Sequence, residues 1–183
     1  RGNTVRFVGF IRHVMIGREG LHRVALLERV ASLGGGRPVS FITTGNIAFD
    51  LAPAALEDFV EALEDEIAVI IVGAAIYART LEHLRAIIFS KPFAQTPFGD
   101  EVVERVVSFA KAPIPIPDKM PVYSKRRDVC VFRINGREAF GVSRPVDGRI
   151  SGAGGLIEWL VGQPITTRSF GTVSRIVEKE PAA

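Results

Sequence analysis

The sequence predicts an α+β protein, and three observations carry that reading. Apolar residues alternate in Thr4–Arg12 and again around the stretch Val39 to Phe49, which is the period of strands. Leu56, Phe59, Val60, Leu63 and Ile67 recur at helical spacing with acidic residues between them. A second alternating pair, Asp128–Ile134 and Arg137–Ser143, flanks Asn135-Gly136, a strong hairpin signal.

Taken in order, Thr4 to Arg12 reads as a strand apolar on both faces, with Val5, Phe7 and Ile11 on one side and Val8 and Phe10 on the other. That pattern suits a central strand. The loop His13 to Gly20 follows, then a helix marked by Leu26, Leu27, Val30 and Leu33 and stopped at Gly34-Gly35-Gly36. Val39, Phe41 and Thr43 form one strand of a hairpin, Ile47 and Phe49 the other, and Gly45-Asn46 supplies the turn. Pro53 opens the next helix, with Asp50 near its N-cap, and Val69 to Tyr77 reads as a strand. Strand, helix, strand, strand, helix, strand is the order of a split βαβ, ferredoxin-like domain, here assigned to residues 1–78.

Residues 79–183 read as a second, smaller α+β subdomain. Thr80 caps a helix through Leu81, Leu84, Ile87 and Ile88, and Val102 to Ala110 is a strand. Ala112 to Pro121 carries too many prolines for a helix or an inner strand, so it reads as an extended linker of polyproline type. The Asn135-Gly136 hairpin, a short helix through Leu156, Ile157, Leu160 and Val161, and a last helix through Phe170, Val173, Ile176 and Val177 complete the chain.

Composition sets bounds on function. The chain has 183 residues, 47 % of them apolar and 23 % charged, as in an ordinary globular protein. Its longest apolar run, Ile67 to Ala78, falls short of the roughly 20 residues of a membrane helix. No signal-peptide pattern opens it, and Cys130 is alone in an apolar context, so the expectation is a cytoplasmic protein with no membrane partner and a cysteine that serves as a small core residue. The formal net charge is +3, but six acids (Glu57, Asp58, Glu61, Glu64, Asp65, Glu66) crowd one helix and leave the rest of the chain basic. They are expected on the face opposite the apolar stripe, with His22, Arg23 and Arg29 available to answer part of the run.

Three pieces of the chain together resemble a known family. Phe7 to Arg12 leads into a loop holding Gly17; Leu33-Gly34 precedes Thr44-Gly45-Asn46-Ile47-Ala48-Phe49; and Thr166-Thr167-Arg168-Ser169-Phe170-Gly171-Thr172-Val173 stands near the end. In this order and spacing they resemble the bacterial domain of unknown function 1697. The resemblance implies two α+β subdomains, the first ferredoxin-like, and it implies no activity. The chain departs from the family's Arg-Gly-Ile-Asn-Val-Gly-Gly loop, reading Arg12-His13-Val14-Met15-Ile16-Gly17-Arg18, and has Phe170-Gly171 where Trp and Asn are usual.

Candidate binding residues fall in three segments. Arg12, Gly17 and Arg18 belong to a glycine-containing basic loop before a helix, where free N–H groups and the helix dipole favour a phosphate or carboxylate. Thr44 and Asn46 sit at the hairpin tip, where turn chemistry alone accounts for Gly45-Asn46. Thr166, Thr167 and Arg168 precede the last helix, where with Ser169 they supply more polar groups than a cap needs. His13, His22 and His83 lack metal-ligand spacing, no Cys-x-x-Cys exists, and no cofactor is expected. Lys125-Arg126-Arg127, Arg133, Arg137, Arg144 and Arg149 make the second half basic, but stacking aromatics do not interleave with them. The reading is therefore an uncharacterised protein that binds a small anionic ligand or a protein partner. The alternatives are an enzyme acting on an anionic metabolite and a weak nucleic-acid binder.

Overall fold

A computed structural model describes residues 3–14, 16, 17, 20–42 and 45–180. The protein is mixed α/β, with two antiparallel sheets and five helices among these residues. Two compact units divide it, Arg1–Arg85 and Ala86–Ala183.

In the first unit β1 (Val5–Ile11), α1 (Arg23–Ser32), β2 (Gly36–Phe41), β3 (Asn46–Leu51), α2 (Leu56–Ala68) and β4 (Ile76–Thr80) follow one another. The sheet order is β2-β3-β1-β4, with every neighbouring pair antiparallel. β1 is central, as its two-faced apolar pattern predicts, and Phe7, Val8, Phe10 and Ile11 are all buried. One core joins Phe7, Ile11, Ile47 and Phe49 of the sheet to Leu26 and Val30 of α1 and Phe59, Leu63 and Ile67 of α2. Phe49 lies at the centre of this core, its ring 5.9 Å from Phe7 and 4.5 Å from Phe59. Each such fully buried side chain contributes roughly 1.5–3 kcal/mol of transfer free energy, so the α2 stripe alone is a large part of what holds the helix down.

Three local expectations are corrected here. The strand placed at Val69–Tyr77 is shifted to Ile76–Thr80, because Ile70 and Ile71 still bond to the Ile67 carbonyl and a turn through Gly73 (φ +80°) follows. β-branched residues in a row mimic a strand, but here Ile71 returns to the core and Val72 points outward. Asp50 is not the cap of α2. It lies in β3, bonded to Arg6 and Arg37, and a short 3-10 turn at Pro53–Ala55 leads into the helix instead. These two arginines, the Arg37 hydrogen bond foremost, hold the Asp50 carboxyl below its usual range, against a smaller opposing effect of burial. Nor do all six acids face water: Glu64 Oε2 accepts the Ile76 N–H at 3.1 Å. Arg29 does reach α2, donating to the Glu66 carbonyl oxygen at 3.0 Å.

Thr80 caps α3 (Leu81–Phe89) as expected, its Oγ1 accepting the His83 N–H at 3.0 Å. The second unit holds β5 (Glu104–Ala110), β6 (Val122–Tyr123), β7 (Val129–Asn135), β8 (Glu138–Ser143), α4 (Gly154–Val161), β9 (Ile165–Ser169) and α5 (Phe170–Lys179). Its sheet order is β6-β7-β8-β5-β9, again antiparallel throughout. One face packs Val106, Val131 and Ala139 against Ile157 and Val161 of α4, and on the other side Phe93 meets Phe132, Phe140 and Phe170. Cys130 is fully buried, and burial pushes its thiol up to about 11.

The proline-rich stretch at 112–121 forms neither helix nor strand, but it is packed rather than free. Ile114 is buried in the α4 core and its N–H bonds to the Gly136 carbonyl, so the segment connects β5 to β6 inside one unit. The hairpin at Asn135 is confirmed with its turn one residue later. Asn135 pairs with Glu138, which leaves Gly136 (φ +60°) and Arg137 as the loop.

Candidate functional site

The first candidate cluster lies at the end of β1. The Gly45 carbonyl accepts the Ile11 N–H at 2.7 Å, which seats the hairpin tip on the loop that leaves β1. A Cβ on Gly45, at φ +77°, would stand 2.8 Å from the Ile11 carbonyl oxygen and 3.3 Å from Val14 Cβ, so only glycine fits there. Two of the three predicted segments are thereby brought side by side. Arg12 is half-buried; its N–H bonds to the Ala75 carbonyl, and its Nε donates to His13 Nε2 at 2.8 Å. Gly17, at φ +90°, is exposed and bonds through its N–H to the Leu21 carbonyl. Asn46 is buried, pairs across both β1 and β2, and donates its side-chain amide to the Phe41 carbonyl at 3.1 Å, closing the hairpin. Arg18 and Thr44, together with Thr43 and Met15, lie outside the described residues.

Non-glycine residues also take left-handed backbone at this place: His13 at φ 63° and the β-branched Ile42 at φ 56°. Such conformations cost on the order of 1–3 kcal/mol each and persist only where surrounding contacts impose them. Sequence reading does not find either, because no residue-type signal marks them.

The second cluster is on β9. Thr166, Thr167 and Arg168 belong to a strand that pairs with β5, not to an irregular approach to α5. The β-branched run Ile165-Thr166-Thr167 was the signal for that strand. Alternation puts Thr166 and Arg168 on one face and Thr167 on the other. Arg168 Nη1 donates to Thr166 Oγ1 at 2.7 Å and to the Thr167 carbonyl at 3.0 Å. Burial lowers the guanidinium to about 10 from its ordinary value, because taking a cation out of water disfavours its charged form. Thr167 Oγ1 shares a 2.7 Å hydrogen bond with Ser108 Oγ, a buried partner that sequence alone does not indicate. Ser169 is the N-cap of α5, accepting the Thr172 N–H at 3.1 Å, as one hydroxyl of this segment was expected to do.

The basic stretch of the second unit is partly committed to its own loops. Arg127 lies over the Tyr123 ring at 4.1 Å, Arg144 over Phe98 at 4.2 Å, and Arg144 also pairs with Glu101. Among the described residues no group of three or more His, Cys, Asp or Glu side chains could hold a metal ion. No described helix is long and apolar enough to cross a membrane.

Two antiparallel sheets, each with its own helices and core, define a two-unit α+β protein of the kind the resemblance implies. The chain belongs to the protein family of unknown function DUF1697, whose model matches residues 5–140. That match takes in the β1 loop and the hairpin; the segment around Arg168 lies beyond it. Among solved structures the chain is similar to a conserved bacterial protein from Streptococcus pneumoniae, at 18% identity, with a TM-score of 0.63 and coverage of 96% of this chain and 98% of that one. At that identity the likeness speaks for the fold. No curated protein matches.

Proposed function

We propose that this protein binds a small phosphate- or carboxylate-bearing ligand, with Arg168 as its anchor. One observation carries the reading: a largely desolvated guanidinium is held on a regular strand by a threonine hydroxyl and a backbone carbonyl, neither of which neutralises it. An anion beside such a group gains more than it would in water, because the local dielectric is low and the donor is already oriented. Thr166 and Thr167 are positioning residues in this reading, Thr166 through its bond to the guanidinium and Thr167 through its carbonyl.

The loop at the end of β1 is the second candidate surface, favoured by the strained His13 and Ile42 beside Arg12. Arg12, Gly17 and Asn46, with Arg18 and Thr44, remain proposed ligand-side residues there. We read the β2-β3-β1-β4 order of that unit as a ferredoxin-like, split βαβ frame that presents the loop. A cytoplasmic setting accords with the lone, buried, unpaired Cys130.

A thermal-shift screen against inorganic phosphate, nucleotides and di- and tricarboxylates tests the reading. At least one of them raises Tm in the wild type, and the shift is lost in Arg168→Ala and partly kept in Arg168→Lys. If no anion stabilises the protein, or the Arg168→Ala variant responds as the wild type does, the reading is wrong.

A further inference from the structure

We propose that the outer face of α2 is a docking surface for a basic, amphipathic segment of a partner protein. It is independent of the anion reading, which concerns the other unit. α2 carries six carboxylates and no base. Glu64 is engaged inward with the Ile76 N–H, whereas Glu57, Asp58, Glu61 and Asp65 are exposed, and among the described residues no base pairs with these four.

The helix holds this charge against its own stability. Glu57–Glu61 and Glu61–Asp65 are like-charge pairs four residues apart, and Asp58–Glu61 are three apart, spacings at which side chains meet and repel. Glu57 and Asp58 favour the helix at its first turn, but Asp65 and Glu66 sit in the last turn, where the dipole favours bases. A cationic partner relieves both penalties at once.

The same stripe ends in apolar residues. Positions 58, 61, 65, 69 and 72 follow one side of the helical path, which continues past Ala68 because the Ile71 N–H still bonds to the Ile67 carbonyl. On that stripe Val69 is 87% and Val72 92% exposed. Two β-branched side chains almost wholly in water, continuous with unpaired carboxylates, fit a segment that carries lysines or arginines along one face and apolar residues at one end. From Asp58 to Val72 the stripe runs about 20 Å, the reach of a four-turn helix.

The test uses the full chain and three synthetic 16-residue peptides: an amphipathic Lys/Leu helix with its leucines toward one end, a scrambled peptide of the same composition, and the same pattern with Glu for Lys. Fluorescence anisotropy at low and high salt reads the binding. The amphipathic peptide binds, more weakly at high salt, and the acidic one does not. Glu61→Lys/Asp65→Lys and Val69→Ser/Val72→Ser each weaken binding by about tenfold or more. All four positions are exposed, and Asp65→Lys suits the helix dipole, so a Tm no lower than wild type shows the charge variant folded. Equal binding of the scrambled peptide, or an unchanged affinity in the valine variant, overturns the proposal by leaving only unspecific charge attraction.

Discussion

The end of β1 and the strand β9 offer basic side chains in opposite ways. At the end of β1 the backbone is strained, with left-handed residues at His13, Gly17, Ile42 and Gly45, while Arg12 rests against a neighbouring imidazole. On β9 the backbone is ordinary extended strand, and the strain is electrostatic: a cation is withdrawn from water and steered by Thr166 and Thr167. A rigid strand fixes a charge to within a fraction of an ångström, whereas a loop stores conformational energy that a ligand can release. The comparison teaches that the two predicted segments differ in kind, and each can be disturbed without touching the other.

The largest expected effect breaks the loop side. Gly45→Ala places a methyl 2.8 Å from the Ile11 carbonyl at φ +77°, and we expect a loss on the order of 3 kcal/mol in denaturant unfolding. Gly17→Ala is the control: its φ is also positive, but nothing lies within 4 Å of the added carbon, so the cost is only about 1 kcal/mol. Equal costs at the two positions would show that the hairpin tip does not bear on β1 as described.

A smaller effect sharpens the strand side. Thr167→Val strands the buried Ser108 hydroxyl and costs roughly 1–2 kcal/mol, while Ser108→Ala/Thr167→Val costs less than the sum of the two single changes. Additive losses in that double-mutant cycle would remove the hydrogen bond from the account.

The smallest concerns Asp50. Its folded carboxyl is held below the value it has when unfolded, so its contribution to stability is present above about pH 4 and is lost as pH falls through the folded value. Asp50→Asn costs roughly 1 kcal/mol at pH 7 and flattens the acid limb of the Tm–pH curve. An acid limb as steep as that of the wild type would place the responsible carboxylate elsewhere.

Much of the frame was legible in the residues, and the reasons are physical. The α2 stripe and the two-faced β1 are long, strongly periodic and free of competing signals, so burial alone decides them. Val69–Val72 misled because β-branched residues past a helix end resemble a strand until tertiary contacts choose which of them is buried. Strand β9 escaped because three polar residues in five hide the alternation, and its hydroxyls find partners, such as Ser108, far away in sequence. Of the candidate site, the residue types were readable, and so was the Ser169 cap. The contact of Gly45 with Ile11 and the desolvation of Arg168 depend on neighbours that no local pattern reports.

The anchor role of Arg168 is tested most directly by calorimetric titration of the intact protein with the anion that raises Tm most, in wild type, Arg168→Ala, Arg168→Lys and Arg12→Ala. The account predicts binding abolished in Arg168→Ala, weakened in Arg168→Lys, and less affected by the change at Arg12. Undiminished affinity in Arg168→Ala would contradict it.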